Sequence, residues 1–284
     1  MAQHPLLICA ANFSEGRDRS IIEQIRDSAA AAASVLDVHS DADHNRCVIT
    51  VAGSPEHLLP AVVAASQTAV RLLDIGIHRG AHPRIGVVDV VPFTPWDGAP
   101  MTTAIDAAGA FADLAWQNAR LPSFFYDAAS EEGLSLPEVR KRAFKDLLPS
   151  RGEGPHPTAG AVAVGARPAL VAFNMMLDSQ DLPVGAWIAK QIRVPGKVRA
   201  LAFFLDSRGA VQVSVNLLDP LSVTILDVLE QVEGLAATCG LSISQTELVG
   251  LAPKGAFDGR QASDLRMTGE ARFLEEELAR CGLR

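Results

Sequence analysis

The chain has 284 residues, of which 48% are hydrophobic and 20% charged, with a formal net charge of −8. That length forms one large domain or two compact ones, each with a core of its own. The acidic balance argues against a general nucleic-acid binder, and no apolar run approaches the roughly 20 residues that span a bilayer.

The opening MAQHPLLICAANFSEGR has no basic segment ahead of a long apolar run, so no signal peptide is expected and the cytoplasm is the expected location. Short runs rich in β-branched residues predict strands at 6–10, 35–38, 46–52 and 85–91. Helices are predicted at 18–33 and 55–76, the second opening on Ser54-Pro55 and stopping at Gly76. A helix at 101–119, a strand at 121–126 and a short helix at 137–147 follow. A Gly/Pro-rich stretch at 149–160 then breaks the rhythm. Beyond it come strands at 161–165, 169–175, 199–205, 210–216 and 245–250, with helices at 182–192 and 219–239. The pattern predicts two units of sheet packed with helices, joined near Leu177–Leu182, with no tandem repeat in the sequence.

Four cysteines, Cys9, Cys47, Cys239 and Cys281, stand singly, which argues against a disulfide framework or a zinc finger. The densest polar cluster is HRGAHPRIGVVD at 78–89. Gly80 and Pro83 make it a loop between a helix and a strand, and an imidazole there exchanges protons near neutral pH. His78 and His82 have the spacing of a metal pair, but no third ligand is near and the flanking arginines repel cations, so no metal is expected. Asp43-His44-Asn45-Arg46 reads as a polar turn, and Asn12 to Arg17 as a strand-to-helix loop that suits an anion or a helix cap.

Taken in order, NFSEGR at 12–17, DHNR at 43–46, HRGAHPRIG at 78–86, GAR at 165–167, AFN at 172–174, VSVNLLD at 213–219 and LVGLAP at 248–253 resemble the formimidoyltransferase domain of glutamate formimidoyltransferases. The same domain occurs in formimidoyltransferase–cyclodeaminase. The resemblance runs from about residue 6 to about residue 280, and HPR is its most specific motif.

The resemblance implies an α/β fold of the α+β sandwich type. It has two subdomains, 1–178 and 179–284, each a mixed β-sheet with helices on its outer face, the sheets facing across a ligand groove. It implies transfer of the formimidoyl group from N-formimidoyl-L-glutamate to tetrahydrofolate, in histidine degradation and one-carbon metabolism. Because the sequence ends at Arg284, transfer alone is expected, without a deaminase. The family's catalytic histidine falls on His82, and its folate-contacting segment on Gly154, Pro155, His156, Pro157, Thr158, Ala159 and Gly160. Arg84 is expected, from its own chemistry, to hold a substrate carboxylate, with Asn12, Asn45 and Asn174 as further polar contacts. Tetrahydrofolate is then a co-substrate, the other partners are small molecules, and a homodimer is expected.

The sequence departs from the family at Ala81, where Glu is usual, at His39, where Asp is usual, and at 140–146, where RKRAFKD replaces a pattern with two more carboxylates. These differences define an alternative, a non-catalytic folate- or pterin-binding paralogue. A metal-dependent hydrolase using His78 and His82 is a third reading.

Overall fold

The computed structural model describes residues 5–283. By packing, the chain divides into two compact units, 1–167 and 168–282, apart from single terminal residues. In the first, β1 (Leu6–Phe13), α1 (Arg19–Ala30), β2 (Ser34–Asp41), β3 (Arg46–Gly53), α2 (Pro55–Leu72) and β4 (Val88–Trp96) follow one another, then α3 (Met101–Ala119), β5 (Ser123–Asp127), α4 (Leu136–Arg142) and β6 (Val162–Ala166). The sheet order is β2-β3-β1-β4-β6-β5. The first four strands pair antiparallel, while β6 lies parallel to both β4 and β5. In the second unit, β7 (Val171–Leu177), α5 (Leu182–Gln191), β8 (Val198–Leu205), β9 (Ala210–Leu217), α6 (Ile225–Thr238) and β10 (Ile243–Val249) form a sheet in the order β10-β7-β9-β8. Short 3₁₀ turns at Lys254–Phe257 and Ala262–Leu265 and a last helix, α7 (Leu274–Arg280), close it.

Both units begin with the same β-α-β-β-α-β motif, the split βαβ arrangement of ferredoxin-like folds. The duplication is topological and leaves no repeat in the sequence. Two expectations change. The first sheet is mixed, but the second is antiparallel throughout. Each of its helical crossovers joins strands that run parallel, and a third strand sits between them, so no parallel neighbours arise. β7 also pairs with β9 and β10, so residues 171–177 belong to the second unit rather than the first.

Each unit buries a separate core. Phe13, Ile25, Val51, Leu58, Phe93 and Phe111 are among the buried residues between the first sheet and α1–α3. Val171, Phe173, Val213, Val215, Ile188 and Leu229 serve the second sheet with α5 and α6. No helix among the described residues is long and apolar enough to cross a membrane.

Element ends differ from expectation where local chemistry outranks hydrophobic period. β4 runs on past the predicted 85–91 through Pro92 and Pro95. Its ladder to β1 steps from Cys9 opposite Phe93 to Asn12 opposite Val90, and Pro92, which has no N–H to give, falls in the interval. α6 starts at Ile225 instead of 219 because Thr224 and Asp227 close a reciprocal capping box. Thr224→Ala is expected to cost about 1 kcal/mol of stability, read as a lower midpoint in urea with an unchanged slope; an unchanged midpoint would remove the cap from the account.

Candidate active site

At one end of the first sheet the β1–α1 loop, the β2–β3 turn and the long α2–β4 loop are stitched together by side chains. Asn45 has a left-handed backbone, φ 46°, which Asn tolerates better than most residues. Its Oδ1 accepts the Gly16 N–H at 2.9 Å and its Nδ2 donates to the Arg79 carbonyl at 2.9 Å. Ser14 Oγ donates to the Gly86 carbonyl at 2.8 Å. The backbones come so close that a Cβ at Gly80 would collide with the His44 carbonyl, and one at Gly16 with the Asp41 carbonyl.

Arg84 clamps this assembly. Its Nε and Nη2 donate to the His82 carbonyl at 3.0 and 2.7 Å, Nη2 also to the His44 carbonyl at 2.8 Å, and Nη1 to the Asn45 carbonyl at 3.1 Å. Nη1 also lies 2.8 Å from His78 Nδ1, while His78 Nε2 lies 3.0 Å from the Asn45 carbonyl. Arg84 Nη1 also lies 3.0 Å from His78 Nε2, and because a guanidinium only donates, this contact favours a neutral imidazole at His78. Burial, then the charge of Arg84, lowers its pKa accordingly. With all three nitrogens of its guanidinium engaged, Arg84 offers little to a substrate. The carboxylate-holding role expected of it is not what this geometry provides; it positions the backbone of the His82 loop. Asn45 is likewise occupied within the protein.

Beneath the loops lies a buried ion triad. Asp89 on β4 is fully buried, and its Oδ2 accepts from Arg46 Nη1 and Arg140 Nη2, each at 2.5 Å. Its Oδ1 accepts the Ile85 N–H at 2.8 Å, tying the triad to the His82 loop. Asn12 Oδ1 accepts from Arg46 Nε at 3.1 Å and Nη2 at 2.9 Å, so Asn12 orients an arginine. Although burial pushes the Asp89 carboxyl up, the two arginines and these bonds outweigh it and hold the pKa at about 2.

His82 sits half-buried above this charge. Its Nδ1 lies 2.7 Å from the Pro83 carbonyl, and its ring stands edge-on to His44 with centroids 5.9 Å apart. Since the carbonyl only accepts, Nδ1 carries the proton and Nε2 the lone pair. Burial, followed by the charges of Arg46 and Arg140, pushes the pKa well below the ordinary 6.5. The lowered pKa favours the neutral imidazole, with its lone pair on Nε2.

The 154–160 segment is a tight turn. His156 and Gly160 exchange backbone hydrogen bonds at 2.8 and 3.0 Å, and His156 Nδ1 accepts the Ala159 N–H at 2.9 Å. Its base is fixed to the α2–β4 loop: Thr158 O accepts from Ile75 N at 2.7 Å, Ala159 O accepts from Val87 N at 3.0 Å, and Gly160 bridges to Gly86. Gly154, Pro155, Pro157 and Thr158 are exposed, whereas Ala159 and Gly160 are buried. Thus the structure joins the turn to the loop that carries His82. Asn174 lies in the second unit, on β7, with its side-chain oxygen buried and unpartnered.

The departures fall into place locally. Ala81 donates its N–H to the Asp43 carbonyl at 3.1 Å, and His39 stands on β2 opposite Val48. Arg140, in the altered 140–146 segment, turns inward to Asp89. Among the described residues no three or more His, Cys, Asp or Glu side chains gather as metal ligands.

Two family models match the chain: the N-terminal subdomain of the formiminotransferase domain over residues 6–167, and the formiminotransferase domain over residues 184–281. The chain belongs to the formiminotransferase family. Similar curated members include a glutamate formimidoyltransferase of Thermoplasma acidophilum, 33% identical over 96% of this chain and 97% of its own length. Another, from Streptococcus pyogenes, is 33% identical over 88% of this chain and 89% of its own. A formimidoyltransferase-cyclodeaminase of Gallus gallus is 31% identical over 96% of this chain, which spans 54% of that longer protein. The family is one of enzymes, named as transferases.

Within this formiminotransferase fold, Arg46, Asp89 and Arg140 form the charged centre, and none stood out as a site residue in sequence. One signal was there: an Asp inside the apolar run IGVVDVV, which a buried strand tolerates only with cationic partners. Asp89→Asn is expected to cost about 3–5 kcal/mol, measured by chemical unfolding. The Asp89 pKa is depressed from the ordinary 3.8 to about 2, so its stabilisation is complete above pH 4 and fades as pH falls toward 2. The variant should lack that component of acid destabilisation; an identical acid profile would contradict the triad.

Proposed function

We propose that this chain transfers the formimidoyl group from N-formimidoyl-L-glutamate to tetrahydrofolate, giving 5-formimidoyltetrahydrofolate and L-glutamate. The observation that carries the reading is the state of His82, whose Nδ1 is held by the Pro83 carbonyl and whose pKa is lowered, which leaves the lone pair of a neutral ring on Nε2. The names of the full-length relatives support the same chemistry.

In the proposed reaction N5 of tetrahydrofolate attacks the formimidoyl carbon, and His82 Nε2 removes the N5 proton from the tetrahedral intermediate. The same imidazolium then protonates the glutamate nitrogen as its bond to carbon breaks. Positioned acid–base catalysis of this kind is worth about 10²–10⁴-fold. The lowered pKa keeps the resting imidazole unprotonated and makes its imidazolium the stronger acid in the second half, at the cost of basicity in the first. Arg84 holds the loop so that the ring keeps its place, and the exposed turn 154–160 is the proposed contact for the flat pterin. Its Gly154-Pro155 and Pro157 present backbone without bulky side chains, on a base fixed to the His82 loop.

The departures that prompted a binding-only reading leave the His82 geometry whole, so transfer is the reading preferred. The four free cysteines support a reducing compartment, and a cytoplasmic homodimer belongs to the same proposal.

Mixing the protein with N-formimidoyl-L-glutamate and tetrahydrofolate should yield 5-formimidoyltetrahydrofolate, detected by mass. His82→Ala should lower kcat by about 10²–10⁴-fold while tetrahydrofolate affinity stays near wild type. Product formation at an equal rate in the variant would remove His82 from the chemistry.

A further inference from the structure

Arg140 has more hydrogen-bonding capacity than the protein uses. Its Nη2 donates to Asp89 at 2.5 Å, while its Nε is buried without an acceptor. Orphaned buried donors are rare in native structures, and a cationic one is costlier than a neutral one. Arg46 differs: its Nε and Nη2 are held by Asn12 and its Nη1 by Asp89. Every guanidinium nitrogen of Arg46 thus has an acceptor, whereas the Nε of Arg140 is buried with none.

The local charge points the same way. Two guanidinium groups face the single carboxylate of Asp89, and Arg84 adds a third positive charge on the His82 loop, in a chain whose net charge is −8. A partly dry cluster with surplus positive charge is completed by an anion. The Arg140 side chain is 16% exposed although its Nε is buried, so a small ligand meets the guanidinium at its exposed edge. Its partner Asp89 also accepts the Ile85 N–H, which places the guanidinium beside the segment that carries His82.

We infer that Arg140 binds a carboxylate of the amino-acid substrate, with Asp89 orienting its guanidinium and Arg46 adding charge. The identity of that carboxylate, in the glutamate portion of donor and product, rests on the transfer reading above. The role expected of Arg84 thus passes to an arginine that still has a donor to give. Arg140 is a substrate-binding residue in this account and takes no part in moving the proton.

Arg140→Lys tests the idea without unpairing Asp89, since lysine keeps the cation but has neither the planar fork nor an Nε donor. Isothermal titration of the full chain with L-glutamate should show affinity at least about 10-fold weaker in Arg140→Lys. Tetrahydrofolate affinity should match wild type, and KM for the formimidoyl donor should rise by the same factor with kcat little changed. A similar melting temperature would confirm that the variant is folded, and if Arg140→Lys melts lower the titration is run below its transition, with tetrahydrofolate binding as the check on the fold. Equal L-glutamate binding by wild type and variant, a wild type that binds no L-glutamate, or a loss confined to tetrahydrofolate would each overturn the assignment. A wild type that binds L-glutamate through Arg140 yet forms no 5-formimidoyltetrahydrofolate would sink the transfer reading and leave the subsite standing.

Discussion

One fully buried carboxylate organises the candidate site. Asp89 would be costly inside β4 without partners, and it repays burial by fixing two arginines from distant parts of the chain and the backbone of the loop after His82. The triad keeps a net positive charge, and that surplus has two consequences. It adds to burial, the larger cause, in disfavouring a positive charge on His82, and it makes the neighbourhood attractive to an anion despite the acidic protein around it. Removing the carboxylate would leave two like charges side by side and loosen the loop together.

The scaffold explains why the parts meet. In the first split βαβ unit, the C-terminal end of β1, the β2–β3 turn and the entry to β4 lie at the same end of the sheet. The strands are rigid and buried; the loops between them are free to carry polar residues, and they are locked to one another through Asn45 and Arg84. β6 then adds a strand parallel to β4. The turn 154–160, which leads into β6, is thereby delivered to the His82 loop. The second unit repeats the starting topology with an antiparallel sheet and a core of its own.

Much of this was legible in the sequence where a local rule was strong. Ser54-Pro55 marked the start of α2, and Val, Ile and Phe runs marked the strands. The HPRIG run located the loop, and Pro83 and Gly80 showed that it was not helical. What remained hidden depended on contacts distant in sequence. Arg84 looked like a ligand for substrate because nothing nearby showed the three carbonyls it would meet, and Arg140 looked like one base in a basic run because its partner lies 51 positions away. The antiparallel second sheet was hidden for a related reason, since hydrophobic period identifies strands but not which of them become neighbours. The last helix and the two 3₁₀ turns are too short to show a period at all.

The central claim is that His82 is a neutral imidazole carrying its proton on Nδ1. Nitrogen-15 NMR of the histidine rings in the full chain, followed through a pH titration and assigned with His82→Ala, tests it directly. The account predicts a His82 ring with the Nδ1–H tautomer at neutral pH and a midpoint below 6.5. A midpoint at or above 6.5, or a proton resident on Nε2, would contradict it.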